Sequence, residues 1–171
     1  PFDFSFSGLK TAVLYHVQSS TKTWGTTMTR DSNTSEGQAF AQLDSIKEMV
    51  AALHKAEKRR NSPRAGTAAD KAWEEAERAI HEDALSVEVR SGWYVLGTKD
   101  ADTKPEQFRI LLCTGGPAVQ IVGRLDEYGQ PEADHVELQH QDWGTPWTAV
   151  KLKSADREAL VRYASCFYFG E

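Results

Sequence analysis

Residues 107–150 read QFRILLCTGGPAVQIVGRLDEYGQPEADHVELQHQDWGTPWTAV, and the patterning of this stretch decides the fold. Phe108 to Cys113 is a short apolar run of strand formers, and Gly115-Gly116 follows it. Paired glycines supply the positive φ angles of a tight hairpin turn. On the return strand, Val119 and Ile121 fall on one face, and Gln120, Val122 and Arg124 on the other. A second turn covers residues 126–131. Residues 134–142 then alternate, with Val136, Leu138 and His140 pointing one way and His135, Glu137, Gln139 and Gln141 the other. That is the pattern of a half-buried strand. A loop carrying Trp143, expected to be the exposed ring, and Trp147, expected in the core because it lies beyond the proline where the chain turns back, leads to a further alternating run at residues 148–152. The stretch predicts an antiparallel meander of at least four strands.

The flanking sequence supplies cover for this sheet. Phe40, Leu43, Ile46, Val50 and Leu53 recur at spacings of three and four, which predicts an amphipathic helix from Ala39. Residues 59–68 form a breaker-rich linker. A second helix follows, with Thr67 as its expected cap, Trp73, Ala76 and Ile80 on one stripe, and its end near Asp83. Residues 85–89 alternate, and residues 93–96, between Gly92 and Gly97, read as an edge strand. Ser154 is the expected cap of a last helix, carrying Leu160, Ala164 and Phe167, that lies across the sheet. The fold class is α+β: an antiparallel β-meander of four to five strands covered by two N-terminal helices and one C-terminal helix. Residues 1–38 read as an upstream extension, foreign or disordered, and residues 39–171 as a single domain.

The chain has 171 residues, 40% of them hydrophobic, enough for one domain with a real core. Residues 69–171 hold 11 Lys and Arg against 19 Asp and Glu, a net of −8. Such an acidic region is a poor partner for a phosphate backbone, so direct nucleic-acid binding is not expected. The basic run from Lys55 to Arg60 reads as a solvated helix end whose cations complement the dipole. No apolar run reaches the ~18 residues of a membrane span. Cys113 and Cys166 both sit in apolar surroundings and read as buried thiols of a reducing, cytoplasmic compartment.

Two resemblances attach to particular residues. Residues 3–14, DFSFSGLKTAVL, resemble a segment of the universal tRNA threonylcarbamoyladenosine transferase (glycoprotease) family. That resemblance implies an actin-like ATPase fold, a histidine-held metal and transfer of a threonylcarbamoyl group to tRNA. It covers about a tenth of the chain. The family's HxxxH metal pair is missing, since no two of His16, His54, His81, His135 and His140 are four apart, and its glycine-rich nucleotide loops are missing too. Residues 1–27 therefore read as a scrap joined upstream of another reading frame that starts at Met28, and are expected to contribute nothing to the fold. The phrases EDALSVEVRSGW, FRILLCTGGPAVQIVG, QDWGTPWT and FYFGE, within residues 46–171, resemble small hypothetical proteins of bacteriophages, prophages and plasmids. The resemblance implies a mobile-element accessory protein and nothing narrower.

Chemistry is weakly marked. Cys113 has no neighbouring helix N-terminus or fixed cation to lower its pKa. His135 and His140 face opposite ways on one strand and cannot chelate together. Asp100 and Asp102 lack the turn glycine and later glutamate of a calcium loop. No catalytic residue, metal ligand or cofactor is expected. The candidate binding residues are Trp143, in a rigid Gly- and Pro-containing loop, and the polar row His135, Glu137, Gln139 and Gln141. The expected function is a non-enzymatic domain that binds a host or phage protein, including a basic nucleic-acid-binding protein whose charge would suit the acidic surface, and that inhibits a host system. The alternative is a small hydrolase working through the His135/Glu137 face. Transfer to tRNA ranks last.

Overall fold

Thr34 opens the first helix by accepting a hydrogen bond from the Gly37 N–H on its Oγ1 at 3.0 Å. The computed structural model describes residues 34–63, 65–96 and 104–170. The expectations for residues 1–33 and for the Asp100/Asp102 loop lie outside the described residues. With Thr34 as cap, α1 (Ser35–Arg60) begins four residues before the expected Ala39. It buries Ala39, Leu43, Ile46, Leu53 and Ala56, while Phe40 and Val50 are half-buried. Its basic last turn is exposed, and Arg60 is held by the next helix: Nε lies 3.1 Å from Asp70 Oδ1 and the guanidinium 4.3 Å above the Trp73 ring.

That next helix, α2 (Thr67–Asp83), buries Ile80 and half-buries Trp73 and Ala76, as the stripe predicts. Thr67 is not its cap. The extended backbone of Gly66 occupies that position, which puts the threonine one residue too late for its hydroxyl to reach the free N–H groups of the first turn.

Five strands form one sheet in sequence order, each antiparallel to the next: β1 (Ser86–Ser91), β2 (Pro105–Cys113), β3 (Ala118–Arg124), β4 (Glu137–Gln141) and β5 (Thr148–Ala149). The turn between β2 and β3 uses Gly115 at φ 109° and Gly116 at φ 75°. The turn after β3 is organised by Asp126, whose carboxylate accepts from the N–H groups of Tyr128 and Gln130 at 2.9 and 2.8 Å. Two expectations change. Residues 93–96 form no strand; the edge strand is β1, whose pairing with β2 becomes irregular between Arg90 and Ser91. His135 is also not on β4, because Ala133–His135 close one 3-10 turn and the strand begins only at Glu137.

One sheet face carries the core. Phe108, Ile110, Leu112, Val119, Ile121 and Leu138 are buried beneath α1, which packs on β3 and β4, and α3 (Ser154–Ala164), which packs on α1 and β4; α2 packs along α1. The cap of α3 is Lys153 rather than Ser154, and its first-turn Asp156 receives Lys47 of α1 at 2.5 Å. The helix stops at Ala164, short of the stripe that extends to Phe167. Phe169, beyond it, turns back onto Phe108 with ring centroids 4.7 Å apart. Tyr163 is fully buried and donates its hydroxyl to Asp83 Oδ2 at 2.8 Å. Both cysteines are free and half-buried, and burial pushes both thiols above the usual range, which favours the inert protonated form.

Candidate functional site

Alternation places every second residue of the sheet on the face that no helix of the described residues covers, and the register sorts them into cross-strand rows. One row runs Arg90, Gln107, Arg124. The next runs Glu88, Arg109, Val122, Glu137, and the third Ser86, Leu111, Gln120, Gln139, Ala149. Together with Asp134 and His135 at the rim, the central residues line a groove of about 680 Å³. Its charges are mixed. Arg109 pairs with Glu88, and Arg90 donates from Nε to Gln107 Oε1 at 2.8 Å.

The floor of the groove is Gln120, only 4% exposed. A one-way chain of hydrogen bonds ends there: Gln139 donates to Glu137 Oε2 at 2.9 Å, and Gln120 donates to Gln139 Oε1 at 2.9 Å. The remaining acceptor, Gln120 Oε1, is buried without a partner. A buried polar atom left unpaired costs about 1–3 kcal/mol, so this oxygen is an unmet acceptor just beneath the open face.

The polar row read from the sequence is brought together in part. Glu137 and Gln139 stand on the open face and His135 at its rim, where Nδ1 lies 2.8 Å from Glu132 Oε2 rather than beside Glu137. Gln141 shares the face but donates to the Thr145 carbonyl at 2.6 Å, so it serves the tryptophan loop and not the groove. His140 points to the helix side as alternation requires, with Nδ1 2.9 Å from Ser35 Oγ. The sequence reading missed Glu88, Arg90, Arg109 and Gln120 as members of the site. The outward alternation of β2 and β3 names Arg109 and Gln120; the presence of Glu88 and Arg90 depends on which strand β1 pairs with. Among the described residues no three His, Cys, Asp or Glu side chains are grouped to hold a metal ion. No family model, no curated protein and no solved structure matches the chain. No helix of the described residues is long and apolar enough to cross a membrane.

Trp143 stands apart from the groove. Its ring is 78% exposed and lies against Gly116, where a Cβ would run into the indole. The loop beneath it is tied by Thr145, whose N–H and hydroxyl both reach the Asp142 carbonyl at 3.1 and 3.0 Å. Trp147, expected in the core, is only half-buried and outside the core cluster, because it leads into the two-residue edge strand β5 rather than under a helix. Replacing Trp143 by alanine is therefore expected to cost under about 1 kcal/mol, against the 3–5 kcal/mol of a buried tryptophan. Acrylamide quenching of single Trp→Phe variants is expected to assign the more accessible emission to Trp143 than to Trp147. Equal protection of the two rings would remove Trp143 as a binding anchor.

Proposed function

We propose that this chain is a non-enzymatic protein-binding domain, an accessory protein of a mobile element, that engages its partner through the open sheet face. The observation that carries the reading is the buried, unpartnered carbonyl oxygen of Gln120 at the floor of the groove. Glu137 and Asp134 lie within the same lining. A basic side chain entering the groove would meet the Glu137 carboxylate and, with the Gln120 amide turned toward it, donate to Gln120 Oε1, which fits a basic partner such as a nucleic-acid-binding protein of the host or of the element. Charge-assisted hydrogen bonds of this kind contribute roughly 1.5–3 kcal/mol.

Gln120→Leu and Glu137→Lys, each made singly, test the proposal in crosslinked affinity capture from the host. The leucine variant removes an unsatisfied acceptor from a buried position, so its unfolding free energy is expected to stay within about 1 kcal/mol of wild type. Its recovery of the partner is expected to fall about tenfold or more, as an interface loss of 1.4 kcal/mol requires. Recovery of the same proteins by wild type and both variants would sink the reading.

A further inference from the structure

The edge of the sheet at β1 is self-complementary, and from it we infer that two copies of this chain pair edge to edge through β1, antiparallel and centred on Val89. β1 is the first strand of the sheet and pairs on one side only, with β2, among the described residues. Such an edge offers unpaired backbone N–H and C=O groups to any strand that can meet it in register. The sequence of β1, SVEVRS, places Val87 and Val89 on the helix side and Glu88 and Arg90 on the open face. Val89 is 47% exposed, and Val87 and Leu85 before it on the same side are exposed as well, so the apolar side of this edge is accessible.

Side-chain charge selects one pairing. A two-fold axis through Val89 sets Val89 opposite Val89 of the second copy, and sets Glu88 opposite Arg90 twice. Moving the axis to Glu88 puts the two glutamates face to face, and moving it to Arg90 does the same to the arginines. Opposite charges directly across a strand pair stabilise it and like charges oppose it. The intrachain partners agree with the Val89-centred arrangement. Glu88 already holds Arg109 and Arg90 already holds Gln107, both within one chain. The second copy would therefore continue the row of alternating charge across the axis. The product is one ten-stranded sheet, five strands from each copy, whose open faces lie on the same side. This inference uses the edge of the sheet and does not depend on the groove having a partner.

Charge exchange tests it with the full-length chain, read by sedimentation equilibrium. Wild type is expected at twice the 19.1 kDa chain mass. Glu88→Arg alone and Arg90→Glu alone each put like charges opposite one another and are expected to weaken association by about tenfold or more. Mixing the two single variants restores both opposite-charge pairs, so the mixture is expected to dimerise where neither variant does alone. The double exchange Glu88→Arg/Arg90→Glu is expected to dimerise by itself. A monomeric wild type, single variants that stay dimeric, or a mixture that stays monomeric would each overturn the inference. Restoration on mixing also shows that the single variants are folded.

Discussion

Truncating Phe108 to alanine is expected to lower the stability of the fold by about 3–5 kcal/mol. Three features concentrate the loss at this position. The ring is 2% exposed and sits under the helix layer on β2. It lies against the Cα of Gly123 on the neighbouring strand, where any Cβ would run into it, so the glycine leaves a slot that only this ring fills. Its other side meets Phe169, the residue by which the chain beyond α3 returns to the core. Removing the ring therefore opens a void bordered by a residue with no side chain to move into it, and also releases the aromatic partner that holds residues 165–169 down. About 2–4 °C per kcal/mol for a chain of this size gives a fall of roughly 6–20 °C in the thermal midpoint. Differential scanning calorimetry measures it directly. A fall of only two or three degrees would mean that the C-terminal segment is held elsewhere.

The second large effect depends on pH. Tyr163 is fully buried, and burial, with the Asp83 carboxylate beside it, pushes its hydroxyl far above the usual tyrosine range. In the unfolded chain the same hydroxyl ionises near pH 10. The folded state thus holds a proton that the unfolded state releases, and stability contributed by Tyr163 is complete below about pH 10 and falls above it. The slope is about 1.4 kcal/mol per pH unit for one group. At pH 8 the Tyr163→Phe variant is the weaker protein by about 1–3 kcal/mol, because Asp83 loses its hydrogen-bond donor. The variant cannot ionise at this position, so its alkaline decline is shallower by one proton. The two stabilities are expected to converge above pH 10 and cross by about pH 11–12. The raised Cys113 and Cys166 thiols steepen both curves equally and cancel in the comparison. Urea titrations at a series of pH values give both curves; parallel curves would show that Tyr163 ionises in the folded protein.

What the sequence by itself determined was local in origin. The alternation of β2, β3 and β4 and the Gly115-Gly116 turn specify the meander, because side chains on a strand must alternate and a tight hairpin needs positive φ. The stripes of α1 and α2 specify two amphipathic helices for the same kind of reason. The inward direction of Leu138 and His140 and the outward direction of Glu137 and Gln139 also follow from period two alone. The errors are one-residue displacements where a neighbour competes for the cap, as Gly66 does with Thr67, and misreadings of apolar content without pairing. Trp93 to Leu96 are strand formers that do not form a strand, and Trp147 is an aromatic that leads to an edge strand instead of a covered one.

Only the tertiary structure decided the rest, because it depends on contacts between residues far apart in the chain. Alternation says that a sheet has two unlike faces but not that the described helices all pack on the face opposite Gln120, nor that this glutamine is buried with one oxygen unpaired. The side chain is half of a ladder whose other members, Gln139 and Glu137, reach it through a register set across a turn. Likewise Glu88 and Arg90 are two ordinary charges in the sequence. They come to stand at an edge of the sheet only because β1, among the described residues, pairs with β2 alone.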